Sequence, residues 1–416
     1  MTAAPAPGLL GDRRFRRLWI GQTVSAFGDQ ITLLAIPLAA VVTLGAGATE
    51  MGLLTAAGWA PHLLLSLVAG AWIDRSARRR ALMVAADLGR ALLLLSVPLA
   101  YALGALTIGH LYAAAFLIGT LTVVFDQSYV TLLLLLVAKE RMVDAHGRLS
   151  TSVAAAQVGG PSLGGLLVSA LTAPVALLAD AVSFLVSAVS LLAIRVAEPA
   201  PESTSDKAAW RRVAEGARFV LGHPMLRASL GCTSTMNFFH LMLNAILVLY
   251  MSRTLGLSPA AIGFVLGVGA AGGLVGAVVA PRVARAIGFG RVILVGAVLY
   301  TGAVLLVPLA PSGTRAVWVL TAAELLSALG VMLYDVNNNS LTALLVPYRL
   351  RARASGTSRF FGYGVRPLGA LAGGALGSAI GLRPTLWVAA AGGLLSVLWL
   401  WRSPIPRLTR PPGQAE

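Results

Sequence analysis

The sequence predicts an all-α membrane protein of about twelve transmembrane helices in two six-helix bundles, and three observations predict it. Of 416 residues, 57% are hydrophobic and only 12% charged, with a mean hydropathy of +0.82. A soluble domain carries about 25% charged residues, so this chain has too little polar surface to cover a water-soluble fold. Its excess apolar surface must face lipid. Long apolar runs recur with short polar breaks, each long enough to cross about 30 Å of hydrocarbon at about 1.5 Å per residue. Finally, the basic residues concentrate in every second break.

The runs lie near 15–43, 51–72, 80–103, 108–137, 151–172 and 174–195, then near 226–252, 259–281, 290–310, 315–340, 354–380 and 383–402. Polar residues interrupt the first, fourth and tenth. Between Glu198 and Arg227 the composition changes, with Glu202, Asp206, Lys207, Arg211, Arg212 and Glu215 beside Pro199 and Pro201. This stretch reads as an aqueous linker with an amphipathic helix around 210–221. It divides the chain into a first bundle (1–195), a linker (196–225) and a second bundle with a short tail (226–416).

With a cytoplasmic N-terminus, 27 of the 32 Lys and Arg residues fall at the N-terminus, in the odd-even breaks near 75–80, 139–148, 282–291 and 349–359, in the linker and after Trp401. Only Arg253, Arg315 and Arg383 fall outside, while Arg90 and Arg366 lie within helices. The positive-inside rule then places both termini and the linker in the cytoplasm of a multi-pass plasma-membrane protein. The net charge of +16 is therefore topological rather than a nucleic-acid footprint. One cysteine, Cys232, excludes an intrachain disulfide framework. The opening segment to Gly11 carries Pro5 and Pro7, and the first apolar run is too long for a cleavable signal.

The halves resemble each other. Phe125–Asp126 and Tyr334–Asp335 each precede an apolar run, a basic loop and a Pro–Gly helix ending in Gly-Gly. Parallel repeats of this kind are one transporter architecture.

The loop after the second run reads Gly70-Ala-Trp-Ile-Asp74-Arg75-Ser-Ala-Arg78-Arg79-Arg80. Gly70 lets helices approach closely, Asp74 can pair with Arg75 or a helix N-terminus, and the arginines hold the loop at the headgroups. This G-x-x-x-D-R-x-x-R-R spacing resembles the cytoplasmic signature loop of the major facilitator superfamily, in which the loop latches the halves in the outward-facing state. The second-half copy, Gly276 to Arg282, lacks the acid. Gly160-Pro161-Ser-Leu-Gly164-Gly165 resembles the core of the antiporter motif of that superfamily's drug and proton exchangers, with Ala156 where a further glycine belongs. A proline and three flanking glycines permit bending and tight packing, and the resemblance implies export. The arginine of proton-coupled drug exporters is missing from the fourth run, which holds no Lys or Arg between Leu111 and Val137. Gly28–Asp29, the Gly160–Gly165 motif, Asp180 and Val-Arg366-Pro-Leu-Gly369 bring the chain nearer the siderophore and macrolide exporters.

An ionisable side chain at membrane depth costs at least ~2.5–3.5 kcal/mol on insertion scales, so each is a functional candidate. Asp29 shares a helical face with Gln22 and is the first candidate to bind and release a proton or to hold a cationic group. Glu324 is the second-half counterpart. Asp126 and Asp335 occupy matching repeat positions. Asn237, His240 and Asn244 form one polar stripe on the seventh helix. Asp87 and Arg90, three apart, can pair with each other, and Asp180 with Arg366 across helices. Trp59, Phe239 and Phe360 offer stacking walls.

There is no G-x-x-x-x-G-K-[ST] loop, HExxH or Cys/His cluster, so neither ATP, a metal nor another cofactor is expected. The glycines from Gly263 to Gly276 lie in an apolar run and read as helix packing. The expected function is proton-coupled export of a small hydrophobic or amphipathic compound by a monomer in the bilayer. The alternatives are an uptake symporter and a membrane-embedded lipid-modifying enzyme.

Overall fold

The computed structural model describes residues 9–74, 78–196 and 215–412, with the backbone alone at 66–74, 348 and 352. Twelve long helices and no β-strand occur among them. In the first half these are α1 (Arg13–Leu38), α2 (Ala48–Asp74), α3 (Arg79–Ala102), α4 (Ile108–Leu136), α5 (Met142–Leu171) and α6 (Ala173–Leu192). In the second they are α7 (Pro224–Leu249), α8 (Pro259–Ile287), α9 (Phe289–Ala303), α10 (Thr314–Leu345), α11 (Arg351–Ile380) and α12 (Leu382–Trp401). Ten spans are long and apolar enough to cross a membrane, the ninth completed by a short turn at Leu306–Leu309. α2 and α11, which pack on each other, complete the twelve.

Helix ends follow local chemistry. Asp12 caps α1 by accepting from the Arg14 amide at 2.8 Å, Thr107 caps α4, and Ser258 caps α8 ahead of Pro259. The basic loop expected over 139–148 is mostly helix. A short 3-10 turn at Lys139–Arg141 runs straight into α5. Apolarity marks the lipid, not the helix end: 30 residues at about 1.5 Å each reach about 45 Å, well past the hydrocarbon. Of the expected linker, 197–214 lie outside the described residues. Residues 215–222 are helical and pack on the second half, where Glu215 pairs with Arg353.

Packing repeats between the halves. α1 lies on α5 and α6, α2 on α4, and α3 on α4 and α6. In the same order α7 lies on α11 and α12, α8 on α10, and α9 on α10 and α12. Local details repeat too. α1 and α7 both end in a five-residue π turn, Ala39–Thr43 and Tyr250–Thr254. Each turn runs into Leu-Gly with the glycine at φ +69° (Gly45, Gly256).

The halves meet along two seams, α2 with α11 and α5 with α8. Each seam has a glycine pair. A Cβ on Gly165 would lie 3.0 Å from the Gly263 Cα, and one on Gly52 only 2.7 Å from the Gly374 Cα. Such contacts need both residues to lack side chains.

The described chain begins and ends at one face, here the terminal face. At the opposite face a single apolar core joins the halves, with Leu38, Met51 and Leu177 packed among Ile246, Tyr250, Ile262 and Leu320. Toward the terminal face the cores are separate. One surrounds Phe15, Met83, Leu133 and Leu191; another surrounds Cys232, Ile293, Tyr334 and Leu400. The bundles are thus joined at the far face and parted at the terminal one.

Candidate functional site

Two polar centres sit inside the bundles, and both grow from helix positions that the hydrophobic pattern leaves polar. In the first half, Asp87 and Arg90 on α3 are 0% and 3% exposed and form an ion pair at 2.5 Å. The Arg90 guanidinium lies between Phe125 of α4, at 4.5 Å, and Phe184 of α6, at 4.1 Å. Two aromatic faces and a carboxylate are what let a guanidinium sit in an apolar bundle. Beside it, Asp180 of α6 is fully buried, accepting from the Thr32 hydroxyl at 2.5 Å and the Ser183 hydroxyl at 2.7 Å. Gly28 makes room for this carboxylate, since a Cβ there would lie 2.1 Å from Asp180 Oδ1.

Asp180 and Arg366 therefore do not pair. Asp180 is satisfied by hydroxyls within its own half, while Arg366 belongs to the second. Asp29 on α1 is exposed toward the interior and stands within electrostatic reach of Asp180, Arg90, Asp126 and Asp87. Asp126 on α4 is also exposed, and the Arg359 of α11 acts on it from the opposite half. Gln22 turns to α6, with its amide 3.4 Å from the Ser187 hydroxyl.

In the second half a cavity of about 590 Å³ opens among α7, α9, α10 and α11. Asn237, His240, Tyr334, Asp335, Arg359 and Arg366 are among its lining residues. Ser229 donates to Asn338 Oδ1 at 2.6 Å, and the Thr233 and Tyr334 hydroxyls share a hydrogen at 2.8 Å, so one wall is a fixed polar net. Arg366 Nε donates to Asn237 Oδ1 at 3.0 Å. Its guanidinium packs against two rings, Tyr363 at 4.2 Å and Trp59 of α2 at 4.3 Å. One side chain of the second half thus rests on the first.

The other sequence candidates divide as follows. Asn244 bonds His240 at 3.0 Å one turn beyond the cavity. Glu324 is half-buried, its Cβ against Gly269 of α8, three turns of α10 from Asp335. At about 1.5 Å per residue that is about 16 Å, so the cavity ends before reaching it. Gly160 and Gly164 of the helix-five motif fit against Gln30 and Ile31 of α1, and Gly165 against α8. Pro161 lies inside α5 with its carbonyl facing Gly263. The motif therefore clamps α5 between its own bundle and the other. Of the signature loop, Gly70 and Asp74 lie on the last turns of α2 and Arg75 falls outside the described residues. Arg78 precedes α3 at its N-cap and Arg79 is buried at its start.

Sequence reasoning missed Tyr363, Arg359 and Tyr334 as cavity residues. The signal was present: 359, 363 and 366 fall on one face of α11, as do 334, 335, 338 and 342 on α10.

The chain matches the Major Facilitator Superfamily over residues 18–370. It belongs to that family. The members are transporters rather than enzymes, and the all-helical fold agrees with solved members. The chain is 26% identical over 377 residues to the multidrug efflux pump Tap of Mycolicibacterium fortuitum, covering 86% of this chain and 88% of Tap. A bacterial homologue of the iron transporter ferroportin in its inward-facing state superposes with a TM-score of 0.73 at 20% identity, over 94% of this chain and 98% of the other. A bacterial homologue of ferroportin in the outward-facing state gives 0.61 at 20% identity, over 94% of this chain and 98% of the other. The nucleoside transporter NupG gives 0.71 at 11% identity, over 93% of this chain and 98% of NupG. These facilitator relatives fix the fold of the chain. The superfamily fold places its interior between the bundles, where Asp29, Asp126, Arg359 and Arg366 stand.

Proposed function

We propose that this transporter is a proton-coupled exporter of a small amphipathic compound, working by alternating access from a state open to the cytoplasm. The observation that carries the reading is the pairing of one shared core at the far face with two separate cores at the terminal face. The basic residues assign the terminal face to the cytoplasm, so the cavity is loaded from inside. The likeness to a multidrug efflux pump over most of both chains supports the same direction.

Asp29 is the coupling carboxylate in this reading. It forms no ion pair with a base among the described residues, lies mid-helix in α1 and stands within electrostatic reach of Asp126 and the Asp87–Arg90–Asp180 centre. Gaining or losing a proton there changes the charge of the first half's inner wall, and this biases one arrangement of the bundles over the other. The Asp126, Asp335 and Glu324 carboxylates are the next candidates, in that order of access to the interior.

The test is transport in proteoliposomes with an imposed proton gradient and a panel of amphipathic antibiotics and dyes. Wild-type protein is expected to move substrate against proton flow. Asp29→Asn is expected to lose gradient-driven accumulation while retaining exchange of substrate for substrate. Gradient-driven accumulation in Asp29→Asn equal to wild type removes the coupling role from Asp29.

A further inference from the structure

We propose that the second-half cavity is an organic-anion site in which Arg366 grips a planar, doubly accepting group of the cargo, a carboxylate or its equivalent. This deepens the exporter reading by naming a substrate class, and rests on it for the direction of movement.

The geometry leaves Arg366 one kind of ligand. A guanidinium has two faces and an edge carrying five N–H groups. The Trp59 ring lies 4.3 Å and the Tyr363 ring 4.2 Å from its guanidinium carbon, and these rings, tilted at 54° with centroids 6.4 Å apart, pack on the cation from adjacent sides. Nε is used by Asn237 Oδ1 at 3.0 Å. Neither Nη has a hydrogen-bond partner among the described residues, and no carboxylate there lies within ion-pair distance of Arg366. What remains is the two-Nη edge of a half-buried cation, packed against two aromatic rings and lining a cavity of about 590 Å³. That edge matches two oxygens in one plane, the bidentate geometry that Arg makes and Lys cannot.

The charge of the cavity points the same way. Its lining carries Arg359 and Arg366 against the single acid Asp335, leaving one positive charge uncompensated. The acids of the opposite wall, Asp29 and Asp126, belong to the first half. With Asp29 as the coupling carboxylate, its proton and the cargo therefore occupy different bundles. The volume suits a molecule of drug size, and Tyr300, Tyr363 and Met236 supply an apolar body for its scaffold.

The site also touches the seam. Trp59 lies on α2, so one of the two rings against the guanidinium belongs to the half that must move away. A cargo anion bound at the Nη edge fixes the guanidinium in the second half whether or not Trp59 stays.

Equilibrium binding in detergent, without any gradient, tests the site. The probes are two xanthene dyes of similar shape: fluorescein, an anion with a free carboxylate, and rhodamine 123, a cation whose carboxyl is esterified. Wild-type protein is expected to bind fluorescein in preference to rhodamine 123 by fluorescence anisotropy. Arg366→Gln is expected to weaken fluorescein binding roughly 10- to 100-fold, the scale of losing a charge-assisted hydrogen-bonded pair, with rhodamine 123 unchanged. If Arg366→Gln does not fold, Arg366→Lys decides. It keeps the charge and loses the planar fork, and is expected to bind fluorescein about tenfold more weakly. Fluorescein affinity unchanged in either variant overturns the site, as does preference for the cation or binding of neither dye. Because binding needs no proton movement, a protein that binds fluorescein through Arg366 but fails to export keeps this site and loses only the exporter reading.

Discussion

At the scale of residues, the buried charges of the first half behave as a structural unit, and this separates them from Arg366. Arg90 has its carboxylate partner and both aromatic faces inside one bundle. Arg366 has two aromatic rings, one amide and, among the described residues, no acid at ion-pair distance. The spacing of Asp87 and Arg90 made their pairing legible in the sequence. The partners of Asp180 were not, because Thr32 lies 148 positions away and a hydroxyl gives no charge pattern to match. Removing one member of a buried pair leaves an uncompensated charge, at a cost of about 3–5 kcal/mol, whereas replacing both by apolar groups is often neutral. Arg90→Ala is therefore expected to lower the thermal unfolding midpoint in detergent sharply, and Asp87→Leu with Arg90→Met to restore most of it. A double variant as unstable as the single one would show that the charges have a use beyond balancing each other.

At the scale of elements, the helices were legible because lipid imposes length and apolarity, but their roles were not. Most expected runs match the observed helices within a few residues; the exceptions are α5, whose first two turns are polar helix rather than loop, α8 and α10, which continue to Ile287 and Leu345 past the ends of their apolar runs, and α9, which stops at Ala303 before a short separate turn. The glycine motif of α5 was read as an antiporter signature. In the structure its residues are assigned one by one: Gly160 and Gly164 to α1, Gly165 to α8. The glycine-rich stretch of α8 divides in the same way, Gly263 and Gly267 facing α5 and Gly269, Gly272 and Gly276 facing α10. No sequence pattern separates these two uses, since a face is defined by what the fold brings against it. A side chain at Gly165 would overpack only the seam between halves. Overpacking costs ~1–3 kcal/mol, enough to move a two-state balance by about tenfold. Gly165→Val is expected to favour the arrangement with the far face open. Leu257, 8% exposed in the far-face core, reports it. In a Cys232→Ser background, Leu257→Cys should label with a membrane-impermeant maleimide several-fold faster when Gly165→Val is present. Equal labelling rates would mean that this seam does not set the balance.

At the scale of the whole molecule, twofold repetition is deeper than the sequence shows. The aligned Asp126 and Asp335 hinted at it, yet the packing order and paired glycines repeat with little residue identity, because repetition constrains backbone approach rather than side-chain type. Even the turn between α5 and α6 repeats: Thr172, at φ +127°, stands where the second half has Gly381, at φ +90°. The side chains have diverged on this common frame, leaving acids on the inner wall of one half and an unpaired guanidinium in the other. Such a frame works only if its two seams open and close. The α2–α11 seam is bridged at the far face by Thr49 and Ser378, whose hydroxyl oxygens are 2.6 Å apart, with the Thr49 amide donating to the same serine at 3.1 Å. Hydroxyl oxygens 2.6 Å apart bring these two side chains near the reach of a disulfide, whose Cβ atoms lie about 3.5–4.5 Å apart. Thr49→Cys with Ser378→Cys, in a Cys232→Ser background, is expected to form a disulfide under mild oxidant and to hold the far face shut. Transport in proteoliposomes should then cease and return on reduction, while each single cysteine variant transports throughout. Full cross-linking with undiminished transport would mean that cargo crosses without parting α2 from α11, and alternating access at this seam would be wrong.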